Sequence, residues 1–207
     1  MPTDDLPVMI RTRMIQHQGV SIFYPEVIGL HNSNVEQFIN RTIYNQMQSI
    51  IREQYEEQDT NSFAEMIGRY EMKTNERNIL SLTQSNYAIF EGAAHGLTFI
   101  RSLTFNTVTG KSYTLADLFK ANSNYVKVIS DIIKRQIKER DIQLLEPFTE
   151  IKPNQDFYIA DKSLVIYFQL YEITPYYVGL PMFPISVFEL ENIIKEDGPL
   201  GIMATNN

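Results

Sequence analysis

Histidine and cysteine, which serve most often as general bases, nucleophiles and zinc ligands, are scarce in this 207-residue chain. There are three histidines, at positions 17, 31 and 95, and no cysteine. Thiolate nucleophiles and cysteine-based metal sites are therefore excluded. No two histidines have the spacing of a helical metal pair, and neither a phosphate-binding glycine motif nor a nucleophile elbow occurs. We therefore assign no catalytic residue and no metal ligand, and we expect no cofactor.

His95 differs from the other two histidines because glycines surround it. It lies between Gly92 and Gly96, and glycine allows positive φ angles or close approach of the backbone. We expect a tight connection between two strands that fixes the imidazole, with His95 and Gly96 as candidate binding residues. The alternative is a plain loop in which the histidine bonds to backbone. His17 is expected to be an exposed residue of a hairpin turn, and His31, which precedes a helix cap, is expected to have no functional role either.

A second candidate segment, Tyr171 to Gly179, follows a strongly apolar strand. Its candidate binding residues are Tyr171, Glu172, Pro175, Tyr176 and Tyr177. Tyrosines in such a loop can stack on a sugar or anchor a protein partner, although they can also simply pack over a sheet edge. Glu172 could act as a general acid or base. With His95 or Asp156 it would form the acid–base pair of a glycan-acting hydrolase, if the two groups share a cleft.

The composition narrows the class of protein. The net charge of −7 argues against binding to nucleic acid, and 43% hydrophobic residues suffice for a core. No window approaches the roughly 18 consecutive apolar residues of a membrane span. The first residues are acidic and lack the basic-then-apolar layout of a signal peptide. We expect no transmembrane segment, and the compartment stays open.

The elements that must position these loops follow from periodicity. Strands are predicted over 8–15 and 20–28 around a turn at 17–19, then over 66–73, 79–90 and 97–107. A capping box at Ser33 begins a long helix with apolar residues at steps of three and four. A second long helix is predicted over 123–140. Strands over 156–160 and 164–171 follow, and the apolar run 164–168 predicts a central strand.

We therefore predict an α+β fold with antiparallel sheets, each covered by one long amphipathic helix, in two packed units. The first unit is placed at residues 8–91 and the second at 92–198. Residues 199–207 are expected to form a flexible tail.

Several spaced blocks of this chain resemble a known family. The blocks are Gly92–Gly96, Phe105–Lys111, Leu115–Phe119, Asp156–Tyr158, Leu164–Phe168 and Tyr171–Tyr176. In this order they resemble the domain of unknown function in the extracellular part of the lysozyme-sensing anti-sigma factor of Gram-positive bacteria. Residues 8–91 are similar to the small domain that accompanies it there and in a peptidoglycan N-deacetylase.

The resemblance implies an envelope-associated, non-catalytic binding or sensing module, with a lysozyme-like protein or a cell-wall glycan as partner. Deacetylase activity is not implied, because that chemistry belongs to a separate metal-dependent domain with an Asp and paired His that nothing here matches. Two alternatives remain: the small hydrolase that uses Glu172 with His95, and a structural or oligomeric protein such as a homodimer.

Overall fold

The computed structural model describes residues 7–205 and divides the chain into two compact units, Met1–Lys111 and Ser112–Asn207. Each unit has hydrophobic clusters of its own. The predicted α+β class with two sheets is confirmed.

The first unit contains one helix and a five-stranded sheet. Its elements are β1 (Met9–His17), β2 (Val20–Ile28), α1 (Ser33–Glu57), β3 (Glu65–Glu76), β4 (Ile79–Ile89) and β5 (Leu97–Asn106). The strand order is β1-β2-β3-β4-β5. Most pairs are antiparallel, but β2 and β3 pair in parallel over Val20–Ile22 and Met66–Gly68. The prediction of purely antiparallel sheets was wrong here because α1 is a crossover that returns the chain to the end where β2 began.

The predicted hairpin between β1 and β2 is confirmed, with His17 opposite Val20 and Gly19 at a φ of 72°. Pro25 lies opposite Thr12 within this hairpin. Two residues on, the Asn40 side chain bonds the N–H and the C=O of Val27 at 2.7 and 2.8 Å. Near the end of β2, the edge of the strand that does not pair with β1 is therefore bonded by the side chain of a residue of α1. Since alternate residues face that side, Pro25 faces it too and removes no bond between β1 and β2.

Helix α1 follows the predicted apolar stripe and buries Val35, Ile39, Ile43, Met47 and Ile50. Its N-cap differs from the prediction. The cap is Asn32, whose Oδ1 accepts bonds from the N–H groups of Asn34 and Val35. The Glu36 carboxylate accepts instead from the N–H of Leu30, at 2.8 Å. The helix therefore starts one residue earlier than a capping box with Ser33 as the N-cap predicts.

The second unit contains α2 (Tyr125–Glu139), β6 (Phe157–Ala160), β7 (Ser163–Tyr167), β8 (Met182–Ser186) and α3 (Pro199–Ala204). The three strands form an antiparallel sheet in the order β6-β7-β8. Residues 164–168 are buried throughout, and β7 is central as their apolar run predicts. With 25 residues α1 is long, whereas α2 has 15. The expectation of one long helix over each sheet is therefore not confirmed.

The structure and the sequence divide the chain at different points. The join predicted at 91–92 falls in the loop between β4 and β5, and β5 pairs with β4 from Leu97 to Asn106. The contacts of the structure place the division after Lys111. At the other end, the predicted flexible tail begins with α3, which buries Pro199, Leu200 and Met203. Apolar contacts with the core of the second unit hold this segment.

Candidate functional site

The glycine-flanked loop around His95 connects β4 to β5 in the first unit. The imidazole is exposed, and its Nδ1 lies 3.2 Å from the carbonyl oxygen of Gly96. Gly92 has a φ of 87° with open space around it, whereas Gly96 is buried. A Cβ at position 96 would lie 2.3 Å from Cε2 of Tyr87. The glycines are therefore used as the sequence predicts, one for its φ and one for close approach.

The second candidate segment, residues 171–179, is called the tyrosine loop below. It begins four residues after β7 with Tyr171 at a φ of 63°, a conformation that a bulky residue adopts only under constraint. The rings of Tyr171 and Tyr176 lie 5.6 Å apart between centroids. Tyr171 is 48% exposed and Tyr177 is 76% exposed. The loop thus presents aromatic surface to solvent.

The Glu172 carboxylate is engaged within the second unit. One oxygen lies 2.8 Å from Nζ of Lys152, and the other accepts from the N–H of Gln169 at 2.8 Å. The Glu172 side chain is only 19% exposed. These bonds tie the start of the tyrosine loop to the chain that leaves β7 and to the segment before β6. This geometry fits a residue that holds the loop.

Further backbone bonds fix the rest of the tyrosine loop. The N–H of Leu145 donates to the carbonyl of Ile173 at 3.0 Å, and a 3₁₀ helix, Tyr176–Val178, follows Pro175. Thr174 is fully buried. The loop is therefore held from a neighbouring segment and by its own turn. It shows the rigid support that a binding loop needs.

Two residues of this region escaped the sequence analysis. Leu145 is 48% exposed and lies beside the tyrosine loop through its bond to Ile173. Gln169 donates its backbone N–H to the Glu172 carboxylate and its side-chain amide to Asp156, at 2.8 and 2.9 Å. Only the aromatic loop itself carries a sequence signal. The contact of residue 145 with residue 173 depends on tertiary structure, and no local pattern predicts it.

The candidate residues therefore fall into two groups. His95 and Gly96 lie in the first unit, and Tyr171, Glu172, Pro175, Tyr176 and Tyr177 share one loop of the second. Across residues 7–205, no cluster of three or more His, Asp or Glu side chains could hold a metal ion. No helix in that range is long and apolar enough to cross a membrane.

Comparison with known proteins identifies two families. Residues 15–98 match the family described as "Deacetylase PdaC", and residues 116–187 match the "Protein of unknown function (DUF3298)" family. The chain is 31% identical to the anti-sigma-V factor RsiV of Bacillus subtilis, over 85% of this chain and 65% of that protein. The chain thus spans slightly less than two thirds of this relative.

Two solved structures share the fold. One is a DUF3298 family protein from Pseudomonas aeruginosa, with a TM-score of 0.73 at 15% identity. The match covers 99% of this chain and 100% of that chain. The other is a DUF3298 family member from Bacteroides fragilis, with a TM-score of 0.71 at 12% identity. The match covers 98% of this chain and 100% of that chain. The resemblance that the sequence blocks predict is therefore confirmed: residues 15–98 match the PdaC family model, and residues 116–187 match the DUF3298 family model.

Proposed function

We propose that this chain is a non-catalytic, envelope-associated binding or sensing module whose partner is a lysozyme-like protein or a cell-wall glycan. The identity to an anti-sigma factor over most of the chain supports a sensing role. The resemblance to an extracellular part of such a factor supports an extracytoplasmic or envelope-associated location.

The observation that carries this proposal is the tyrosine loop. Tyr171 and Tyr177 are about half and three-quarters exposed, respectively, while Glu172 and Ile173 are bonded to neighbouring segments. Tyrosine adds large contact area with few rotatable bonds, so a loop that is already ordered loses little entropy on binding. A protein surface or a sugar ring can both use such aromatic faces.

The bonds of Glu172 favour binding over hydrolysis at this loop. A general acid or base must hold a hydrogen bond to substrate, either directly or through one water. Both oxygens of Glu172 already bond to Lys152 and to the Gln169 N–H. We therefore propose that Glu172 contributes to recognition by setting the loop's conformation. The exposed His95, whose loop the buried Gly96 packs against the sheet, contributes a second contact on the first unit.

The direct test is a titration of the full chain with lysozyme and, separately, with muropeptides, by calorimetry. We expect saturable binding of one of them. Tyr171→Ala or Tyr177→Ala should weaken it by about tenfold or more, as truncation of a central aromatic anchor commonly does. His95→Ala tests the first unit in the same assay.

Phe188→Ala is the matched control, because Phe188 is 52% exposed in the same unit but lies outside the tyrosine loop. It should leave the affinity unchanged. Absence of binding to both ligands would overturn the proposed partners. Equal losses from the Phe188 and Tyr177 variants would overturn the assignment to the tyrosine loop. Release of reducing ends from muropeptides by the wild type, abolished in Glu172→Gln, would instead support the hydrolase hypothesis.

A further inference from the structure

We propose that the outer edge of β1 is a docking site for an extended acidic peptide segment, which adds to the sheet of the first unit as a further strand. Within residues 7–205, β1 is the first strand of its sheet and pairs only with β2. It is nine residues long, and its residues 11–14 are all exposed. An exposed edge of this length offers backbone donors and acceptors to another chain.

The register shows which backbone groups point outward. The turn at Gln18 and Gly19 has two residues, so His17 and Val20 form a hydrogen-bonded pair, and pairs alternate along the hairpin. The N–H and C=O of Thr12, Met14 and Gln16 then face away from β2. Ile10 has the same parity. Val8 precedes the strand, and its N–H and C=O bond the Asn75 side chain of β3 at 2.9 Å each. Among the described residues, no hydrogen bond joins the backbone of Thr12, Met14 or Gln16 to another segment.

Charge identifies the chemistry of the partner. The side chains of Arg11 and Arg13 are 57% and 51% exposed, and both approach the single oxygen Oε2 of Glu26, at 3.5 and 3.9 Å. Neither guanidinium donates a hydrogen bond to any described residue. Two arginines thus share one carboxylate, and the edge keeps a net positive charge. This local charge is opposite to the net charge of −7 of the whole chain.

The spacing of the two arginines determines the spacing of the acidic residues that we expect in the partner. Arg11 and Arg13 lie two residues apart, so their side chains leave the strand on the same face. They would occupy the non-hydrogen-bonded pairs with an added strand, where facing side chains come closest. An extended segment with acidic residues two apart would place one carboxylate against each guanidinium. Charged bonds of this kind are stronger than neutral ones.

The same charges disfavour two of the registers in which a second copy of this chain could pair with the edge. In an antiparallel contact between the β1 strands of two copies, the residues whose N–H and C=O face away from β2 would form the hydrogen-bonded pairs. A register centred on Thr12 sets Arg11 opposite Arg13 of the other copy, and one centred between Thr12 and Met14 sets Arg13 opposite Arg13. Like charges directly opposite each other destabilise a strand pair. The acidic peptide meets no such repulsion.

The test uses the full chain and a synthetic peptide, acetylated and amidated, with the sequence Thr-Glu-Val-Glu-Val-Thr. We expect saturable binding that weakens as salt rises, and slower amide exchange at Thr12 and Met14 in the complex. The double variant Arg11→Glu/Arg13→Glu should bind at least about tenfold more weakly, as expected for loss of charged bonds. Lys134→Glu/Lys138→Glu on α2 makes the same change of charge in the other unit and should bind as the wild type does.

Two reagents separate backbone pairing from simple charge attraction. Met14→Pro removes one outward N–H, and a proline on that side breaks no bond to β2. A peptide N-methylated at alternate residues lacks the donors that would face β1, and it needs no change in the protein. Binding that survives both changes would overturn strand addition. Absence of binding, equal loss in the two charge variants, or a β1-dependent dimer in sedimentation would overturn the proposal.

Discussion

Glu172 is the residue whose role differs most between the binding and the hydrolase hypotheses. Its carboxylate bonds Lys152 and the Gln169 N–H. Glu172→Ala leaves the Gln169 donor without its acceptor, so we expect a loss of roughly 1–3 kcal/mol in the free energy of unfolding. Amide exchange at Gln169 should accelerate in parallel. Thermal unfolding and hydrogen exchange measured by NMR report the two effects.

Lys152→Ala is the control for this prediction. The Lys152 side chain is 68% exposed, and an exposed ion pair contributes about 1 kcal/mol or less. We expect nearly unchanged stability and a protected Gln169 amide. Unchanged exchange at Gln169 in Glu172→Ala would show that the carboxylate does not hold the loop.

The two glycines around His95 give a second comparison at the scale of the residue. Gly96→Ala brings a Cβ to 2.3 Å from the Tyr87 ring, which must turn away. Gly92→Ala meets no atom within 4 Å but forces a side chain to a φ of 87°, at roughly 1–2 kcal/mol. Both variants should lower the unfolding temperature, and only Gly96→Ala should shift the Tyr87 ring resonances. A Tyr87 ring that stays unchanged in Gly96→Ala would contradict the close approach.

At the scale of the element, periodicity predicts α1 well and its contacts poorly. The apolar stripe that the sequence predicts runs from Val35 to Tyr55 and includes every buried aliphatic residue of the helix. It also includes Phe38 and Tyr55 themselves, which are about 40% exposed. Gln54 is fully buried, and its Nε2 donates to the carbonyls of Asn86 and Leu97. A buried glutamine is ordinary only when it is bonded, and its acceptors are 32 and 43 residues away in sequence. No local pattern predicts such partners.

Gln54 should therefore anchor α1 to β4 and β5. Gln54→Ala removes two donor bonds and leaves a cavity, and we expect a loss of roughly 2–4 kcal/mol in the free energy of unfolding of the first unit. Chemical denaturation monitored by circular dichroism measures it. The exposed Gln37 on the same helix is the control, and Gln37→Ala should change stability by less than about 0.5 kcal/mol. Equal effects of the two variants would contradict an anchoring role.

At the scale of the whole molecule, the sequence predicts the α+β class and a division into two units. It places that division before β5, whereas the structure places it after β5. Glycines and a histidine in the loop at 92–96 have the composition of a boundary, yet the same residues also suit the turn between two paired strands. Pairing decides the matter in the structure, because all ten residues of β5 lie opposite β4. Buried Phe105 of β5 also joins the cluster of Leu80 and Leu82. The short connections between the three strands predicted over 66–107 also favour an antiparallel meander, and the antiparallel pairs β3–β4 and β4–β5 confirm it.

The two boundaries predict different behaviour of fragments. Residues 7–111 keep β5, so we expect a cooperative thermal transition and dispersed NMR signals. Residues 7–91 lack β5, which exposes one edge of β4 and removes Phe105 from the cluster around Leu80, and we expect no cooperative transition. Residues 112–205 contain the cluster of the second unit and should unfold cooperatively as well. If 7–91 unfolds as cooperatively as 7–111, the join lies at residue 91, and β5 is an addition that the first unit does not need.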